Sequence, residues 1–199
     1  MTNNLNIHTD TPLAQALLEL FNEVAEIALE QVPELTPHSI KAYVLGGCAV
    51  HIYTNARGSN DVDAELEASK LINTNQVLLE LPPIPYNDPN LGETMLVLDK
   101  NFNTSFPSLH PDYQENAILL QSNNVVDVYL LSAVDVAVSK LARYGQQDYD
   151  DIVSMYKAKR FSIDEFKAVA YEALDYSATA DTLKSHIESA ISCLENEQI

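Results

Sequence analysis

Two glycines and two aspartates restrict what the segment Tyr43–Leu66 can become. It reads Y-V-L-G-G-C-A-V-H-I-Y-T-N-A-R-G-S-N-D-V-D-A-E-L, with thirteen residues between Gly46-Gly47 and Asp61-Val62-Asp63. Ala42–Leu45 has the apolar character of a short buried strand, and the glycine pair lets the backbone turn tightly and approach whatever lies above the strand end. Cys48–Tyr53 supply the apolar positions of a short helix, Asn55–Asn60 read as the loop that ends it, and Asp61–Ala64 starts a second strand. Side chains alternate on a strand, so Asp61 and Asp63 share one face while Val62 and Ala64 take the other.

Neighbouring carboxylates repel each other unless a cation neutralises them. A hard divalent ion such as Mg2+ does so through oxygen ligands and leaves positions for phosphate oxygens. Backbone N–H groups at a glycine-rich helix start complement it as an anion site. The segment could therefore hold a metal-bound nucleotide, with Mg2+ or Mn2+ as cofactor. A strand edge bearing two solvated acids beside a glycine turn is the competing account.

The order Gly46-Gly47, thirteen residues, Asp61-Val62-Asp63, with Arg57 and Ser59 ahead of the acids, resembles the signature of the nucleotidyltransferase superfamily of the DNA polymerase beta type. Within it the pattern is most similar to the minimal bacterial AbiEii-like nucleotidyltransferases of toxin–antitoxin and abortive-infection systems. The resemblance implies that Gly46, Gly47, Arg57 and Ser59 bind nucleotide and that Asp61 and Asp63 hold the metal. It also implies a third carboxylate between apolar neighbours on an adjacent strand, which Asp127 in Val126-Asp127-Val128 fits. An acid inside an apolar strand is costly unless paired or metal-bound, although an edge-strand acid facing water is also consistent with the pattern. A second run, K-L-A-R-Y-G-Q-Q-D-Y-D-D-I, resembles the same branch. There Lys140 would meet nucleotide phosphate or the leaving pyrophosphate, and Asp148 and Asp151 would support the site. Both acids could equally cap the helix that follows. One departure stands out: many relatives carry Ser after the first glycine, whereas Gly47 and Cys48 stand here, leaving phosphate binding to backbone N–H groups.

The fold expected is α/β (α+β): a mixed nucleotidyltransferase-type sheet flanked by helices, with a core over 1–157 and a C-terminal helical region over 158–199. The implied reaction moves a nucleoside monophosphate from an NTP to an unknown acceptor hydroxyl on an RNA end, a protein or a small molecule. The rival reading is an inactive module of the same fold that binds a protein partner.

Charge argues against an extended nucleic-acid track, since 29 acids against 11 Lys and Arg give a formal net charge of −18. Only the stretch Lys140–Lys167, with Arg143, Lys157, Lys159 and Arg160, is near balance and could face phosphate. The acidic surface suits a basic protein partner instead. No run is apolar enough for a membrane span and Met1–Asp10 lacks signal-peptide character, so a cytoplasmic location is expected. Cys48 and Cys193 form no metal or disulfide pattern, and His51 reads as a packed residue rather than a ligand or base.

Elsewhere the pattern predicts a scaffold helix over Pro12–Val32, a helix over Glu67–Leu81 and an irregular Ile84–Tyr113 with one strand at Thr94–Leu98. In that region Tyr86, Phe102, Phe106 and Tyr113 could stack on a base or pin a loop. Strands at Ile118–Gln121 and Val125–Leu131 join around Asn123-Asn124, and helices follow over Ala133–Arg143, Ile152–Lys157 and Ser162–Leu194. Ser162 with Glu165 forms a capping-box pattern.

Overall fold

The computed structural model describes residues 6–90 and 92–197. Among them the chain forms seven helices and one six-stranded mixed sheet, the α/β class the sequence predicts. It divides into two compact units, the chain through Phe102 with Ala117–Leu130, and Asn103–Asn116 with the chain from Leu131 on.

In the first unit α1 (Pro12–Gln31) begins where Thr11 caps it, the threonine hydroxyl accepting the Ala14 N–H with Pro12 in the first turn. Its stripe of Leu13, Leu17, Leu20, Phe21, Val24 and Ala28 is buried. Then come β1 (Ile40–Leu45), α2 (Gly46–Thr54), β2 (Asp61–Ala68), α3 (Thr74–Glu80), β3 (Ile84–Asp88), β4 (Gly92–Leu98), β5 (Ile118–Ser122) and β6 (Val126–Leu130). The sheet order is β3-β4-β2-β1-β6-β5, with β1 antiparallel to β2 and parallel to β6. Ala42, Val44, Val62, Val128 and Leu130 form the apolar face of the sheet, and α1 and α2 pack on its strands.

Two expectations change here. The helix expected over Glu67–Leu81 shrinks to α3, because β2 runs on through Ala68, pairing Glu65 with Tyr43 and Glu67 with Lys41. The acid–apolar alternation of D-V-D-A-E-L-E-A is strand periodicity over its whole length. The region after Ile84 also holds a second strand, β3, antiparallel to β4; Pro85 is tolerated because β3 is an edge strand. The β5–β6 turn is as expected, with Asn124 at φ 77°.

The second unit contains α4 (Ala133–Ser139), α5 (Gln146–Lys157), α6 (Ile163–Asp175) and α7 (Ala180–Asn196), around Leu141, Ile152, Met155, Phe166, Ile187 and Leu194. Helix α5 starts six residues before the predicted Ile152. The Asp148 carboxylate accepts the Gly145 N–H at 3.0 Å and so stabilises the polar first turn. The Ser162–Glu165 capping box forms at α6.

Candidate functional site

The register of β1 and β2 puts Asp63 beside Leu45, the last residue before the glycine pair, and Asp61 one pleat further out. Gly46 opens α2 at φ 65°, a left-handed conformation that glycine adopts without strain. The Asp63 carboxylate lies over it so closely that a Cβ there would come within 1.8 Å of Asp63 Oδ2. A Cβ on Gly47 would stand 2.6 Å from Ser59 Oγ and 2.9 Å from Arg57 Nη2. Carboxylate, hydroxyl and guanidinium therefore converge on the first turn of α2, where the helix presents its positive end.

Ser59 ties this group to the outer acid. Its hydroxyl is 3.0 Å from the Asp61 carbonyl and 3.0 Å from Asp61 Oδ1, leaving the exposed Asp61 carboxylate oriented from one side. Cys48 donates its thiol to the Asp61 carbonyl at 3.3 Å. Burial pushes that thiol up to about 12, so it is a neutral structural group. The structure thus brings together Gly46, Gly47, Arg57, Ser59, Asp61 and Asp63.

It does not bring Asp127 to them. Asp127 pairs with Lys41 while Asp63 pairs with Leu45, so four residues of β1, roughly 13 Å at strand rise, separate the two along the sheet. Asp127 is held instead by the His38 Nδ1–H at 2.8 Å and the Ser122 hydroxyl at 2.5 Å. Burial alone would raise its carboxyl, but these hydrogen bonds and the charges of His38 and Lys41 hold it below the usual carboxylate range. This pairing offsets the cost of an acid in an apolar strand.

Between the two ends lies Tyr43, stacked on Tyr129 with ring centroids 5.3 Å apart. Burial, with the charges of Glu67, Glu65 and Asp127, pushes its hydroxyl up to about 12. It is therefore neutral and no base.

Lys140, Asp148 and Asp151 belong to the second unit. There the buried Lys140 ammonium lies 3.0 Å from Asp151 Oδ2, and Arg143 grips Asp148 through Nε and Nη2, each at 2.8 Å. Asp148 is pulled below the usual range because Arg143 and the Gly145 N–H outweigh its burial. Lys157 and Lys167 are paired as well, with Glu197 and Glu195. Of the aromatic residues considered for base stacking, Tyr86 is buried and donates its hydroxyl to the Ser59 carbonyl at 2.9 Å, which is the pinning role.

As a metal site, the described residues contain no group of three or more His, Cys, Asp or Glu able to hold an ion. Asp61 and Asp63 supply two carboxylates on one strand face, a donor set suited to Mg2+, which uses one or two carboxylates and completes its shell with water and substrate phosphate. No helix among the described residues is long and apolar enough to cross a membrane.

A family model described as a nucleotidyltransferase of unknown function (DUF6036) matches residues 15–193. Neither a curated protein nor a solved structure matches the chain.

Proposed function

Because the chain belongs to this nucleotidyltransferase family, we propose that it transfers a nucleoside monophosphate from an NTP to an acceptor hydroxyl, releasing pyrophosphate. The observation that carries this is the convergence of Asp63, Ser59 and Arg57 on Gly46-Gly47, with Asp61 exposed beside them. A Mg2+ or Mn2+ held by Asp61 and Asp63 supplies charge neutralisation for the phosphate chain. The protein's own contribution is positional: Arg57 presents a planar cation to phosphate oxygens, and the first turn of α2 adds its dipole. Ser59 fixes the orientation of Asp61. On β4, Val97 pairs with Asp61 and, with Met95, exposes apolar surface on which a nucleoside can lie. Catalysis of this kind is mainly positioning and electrostatic stabilisation. By resemblance, the acceptor is an RNA end, a protein or a small-molecule hydroxyl, and the setting is a toxin–antitoxin or abortive-infection system.

The test is a thermal-shift screen of each NTP with and without Mg2+, run beside Asp61→Asn and Asp63→Asn. A ligand at about 100 times its dissociation constant stabilises the folded protein by about 2.7 kcal/mol. A metal-dependent shift lost in both variants supports the reading, and its absence with every NTP refutes it. A second reading, a module that binds a basic protein, is favoured by one observation: Asp61, Asp63, Glu65 and Glu67 share one face of β2. In that case partner binding survives Asp63→Asn.

A further inference from the structure

The loop between α2 and β2 carries Arg57 and Ser59, yet other elements hold it in place. His51 of α2, only 6% exposed, faces it. Its Nδ1 lies 2.6 Å from the Arg57 carbonyl oxygen, and since a carbonyl can only accept, Nδ1 carries the proton. On the other side Nε2 is 2.8 Å from Thr11 Oγ1 and accepts from that hydroxyl in the neutral ring. Burial lowers the affinity of His51 for a second proton, which keeps this tautomer at neutral pH. Thr11 is the cap of α1, so a line of bonds runs from the start of α1 through the imidazole to the loop. Tyr86 of β3 holds the Ser59 carbonyl. A Cβ on Gly58 between them would come within 2.5 Å of Asp88 Oδ2, so that carboxylate would have to move to admit one.

We propose that His51, assisted by Tyr86, is a positioning residue that sets where Arg57 and Ser59 stand over Gly47, so that a nucleotide's phosphates meet a preformed site. Ordering a free loop costs backbone entropy, and a loop fixed beforehand spares that cost at binding. The ligand in this statement rests on the nucleotidyltransferase reading, whereas the dependence of the loop on His51 does not.

The experiment compares the intact protein with His51→Leu, which removes both bonds, and His51→Asn, whose amide N–H takes the place of Nδ1–H. Tyr86→Phe is a separate probe that leaves α2 untouched. Amide hydrogen exchange is followed in peptides covering Asn55–Asn60, with melting temperature as a folding check. Faster exchange there in His51→Leu and Tyr86→Phe, restored in His51→Asn and not shared by α1 peptides, is the expected result. Unchanged exchange in His51→Leu, or equal loosening of the whole unit in both His51 variants, overturns the proposal. Titration with Mg2+ and the NTP showing the largest thermal shift adds a second readout. Losing one buried hydrogen bond, about 1.4 kcal/mol, weakens binding about tenfold. In an Arg57→Ala background the further loss from His51→Leu should largely vanish; full additivity overturns the proposal. A wild-type protein that binds no NTP defeats the functional reading instead, and the loop's dependence on His51 is then decided by exchange alone.

Discussion

Replacing Gly46 by alanine tests whether backbone conformation and the position of a carboxylate are one constraint. The residue sits at φ 65°, where a β-carbon costs about 1–2 kcal/mol. The added methyl would also come within 1.8 Å of Asp63 Oδ2, half of an ordinary contact, so the carboxylate or the helix start must move. Overpacking of this kind costs typically ~1–3 kcal/mol, bringing the total to about 2–5 kcal/mol. For a chain of this size that lowers the melting temperature on the order of 10 °C. Urea denaturation of wild type, Gly46→Ala, Asp63→Ala and the double variant separates the two terms. Truncating Asp63 to alanine removes the carboxylate contacts and leaves only its Cβ at 2.9 Å, so Gly46→Ala should then cost little beyond the backbone term. A coupling of about 1–3 kcal/mol is therefore expected. If the two changes add to within about 0.5 kcal/mol, the close approach of Asp63 is not what requires glycine here.

The buried Lys140–Asp151 pair gives a sharp contrast: Lys140→Met removes the ammonium that lies 3.0 Å from a buried carboxylate and should cost about 3–5 kcal/mol, and adding Asp151→Leu should recover most of it, both read by chemical denaturation. For Asp148 and Asp127 the folded-state pKa lies below the unfolded value, so their stabilisation is complete above the ordinary carboxylate pKa of about 3.9 and is lost as pH falls through the lower folded-state value. Arg143→Ala should flatten the acid limb of a stability–pH curve between about pH 5 and pH 2, and an unchanged limb would refute the assignment.

What could be read from the sequence differs by residue. The strand–glycine–helix–aspartate order of Tyr43–Asp63 was legible because each local preference agrees with its neighbours. The full length of β2 was missed although the alternation continues through Glu65 and Glu67, because the residues from Glu67 on suit a helix as well. Pro85 hid β3, because its compatibility with an edge strand depends on sheet order, a tertiary fact. The place of Asp127 could not be read at all. Its apolar neighbours mark a strand, but only the pairing of β6 with β1 shows that it lies level with Lys41 rather than Leu45. Likewise Lys140 looked available for phosphate, because its partner lies a turn and a half into a helix whose start has no apolar periodicity.

The carboxylates on β2 also show where the chain accepts a local conflict. Asp61 and Asp63 sit about 7 Å apart along the strand, where two unit charges repel by about 0.6 kcal/mol in water and by more than 2 kcal/mol at an effective dielectric of ~20. Glu65 and Glu67 extend the row, on a chain already at −18. At the inner end Lys41 stands opposite Glu67, as pairing rules favour. At the outer end Asp63 is met by the positive start of α2, and Ser59 donates to Asp61. Of the two aspartates Asp61 is the exposed one, and its hydroxyl partner brings no charge to offset its own. A sequence selected for stability alone would soften the row at that end. An aspartate there, with Arg57 and the glycine turn alongside, is a local conflict that the charged ligand of the proposed reaction would relieve.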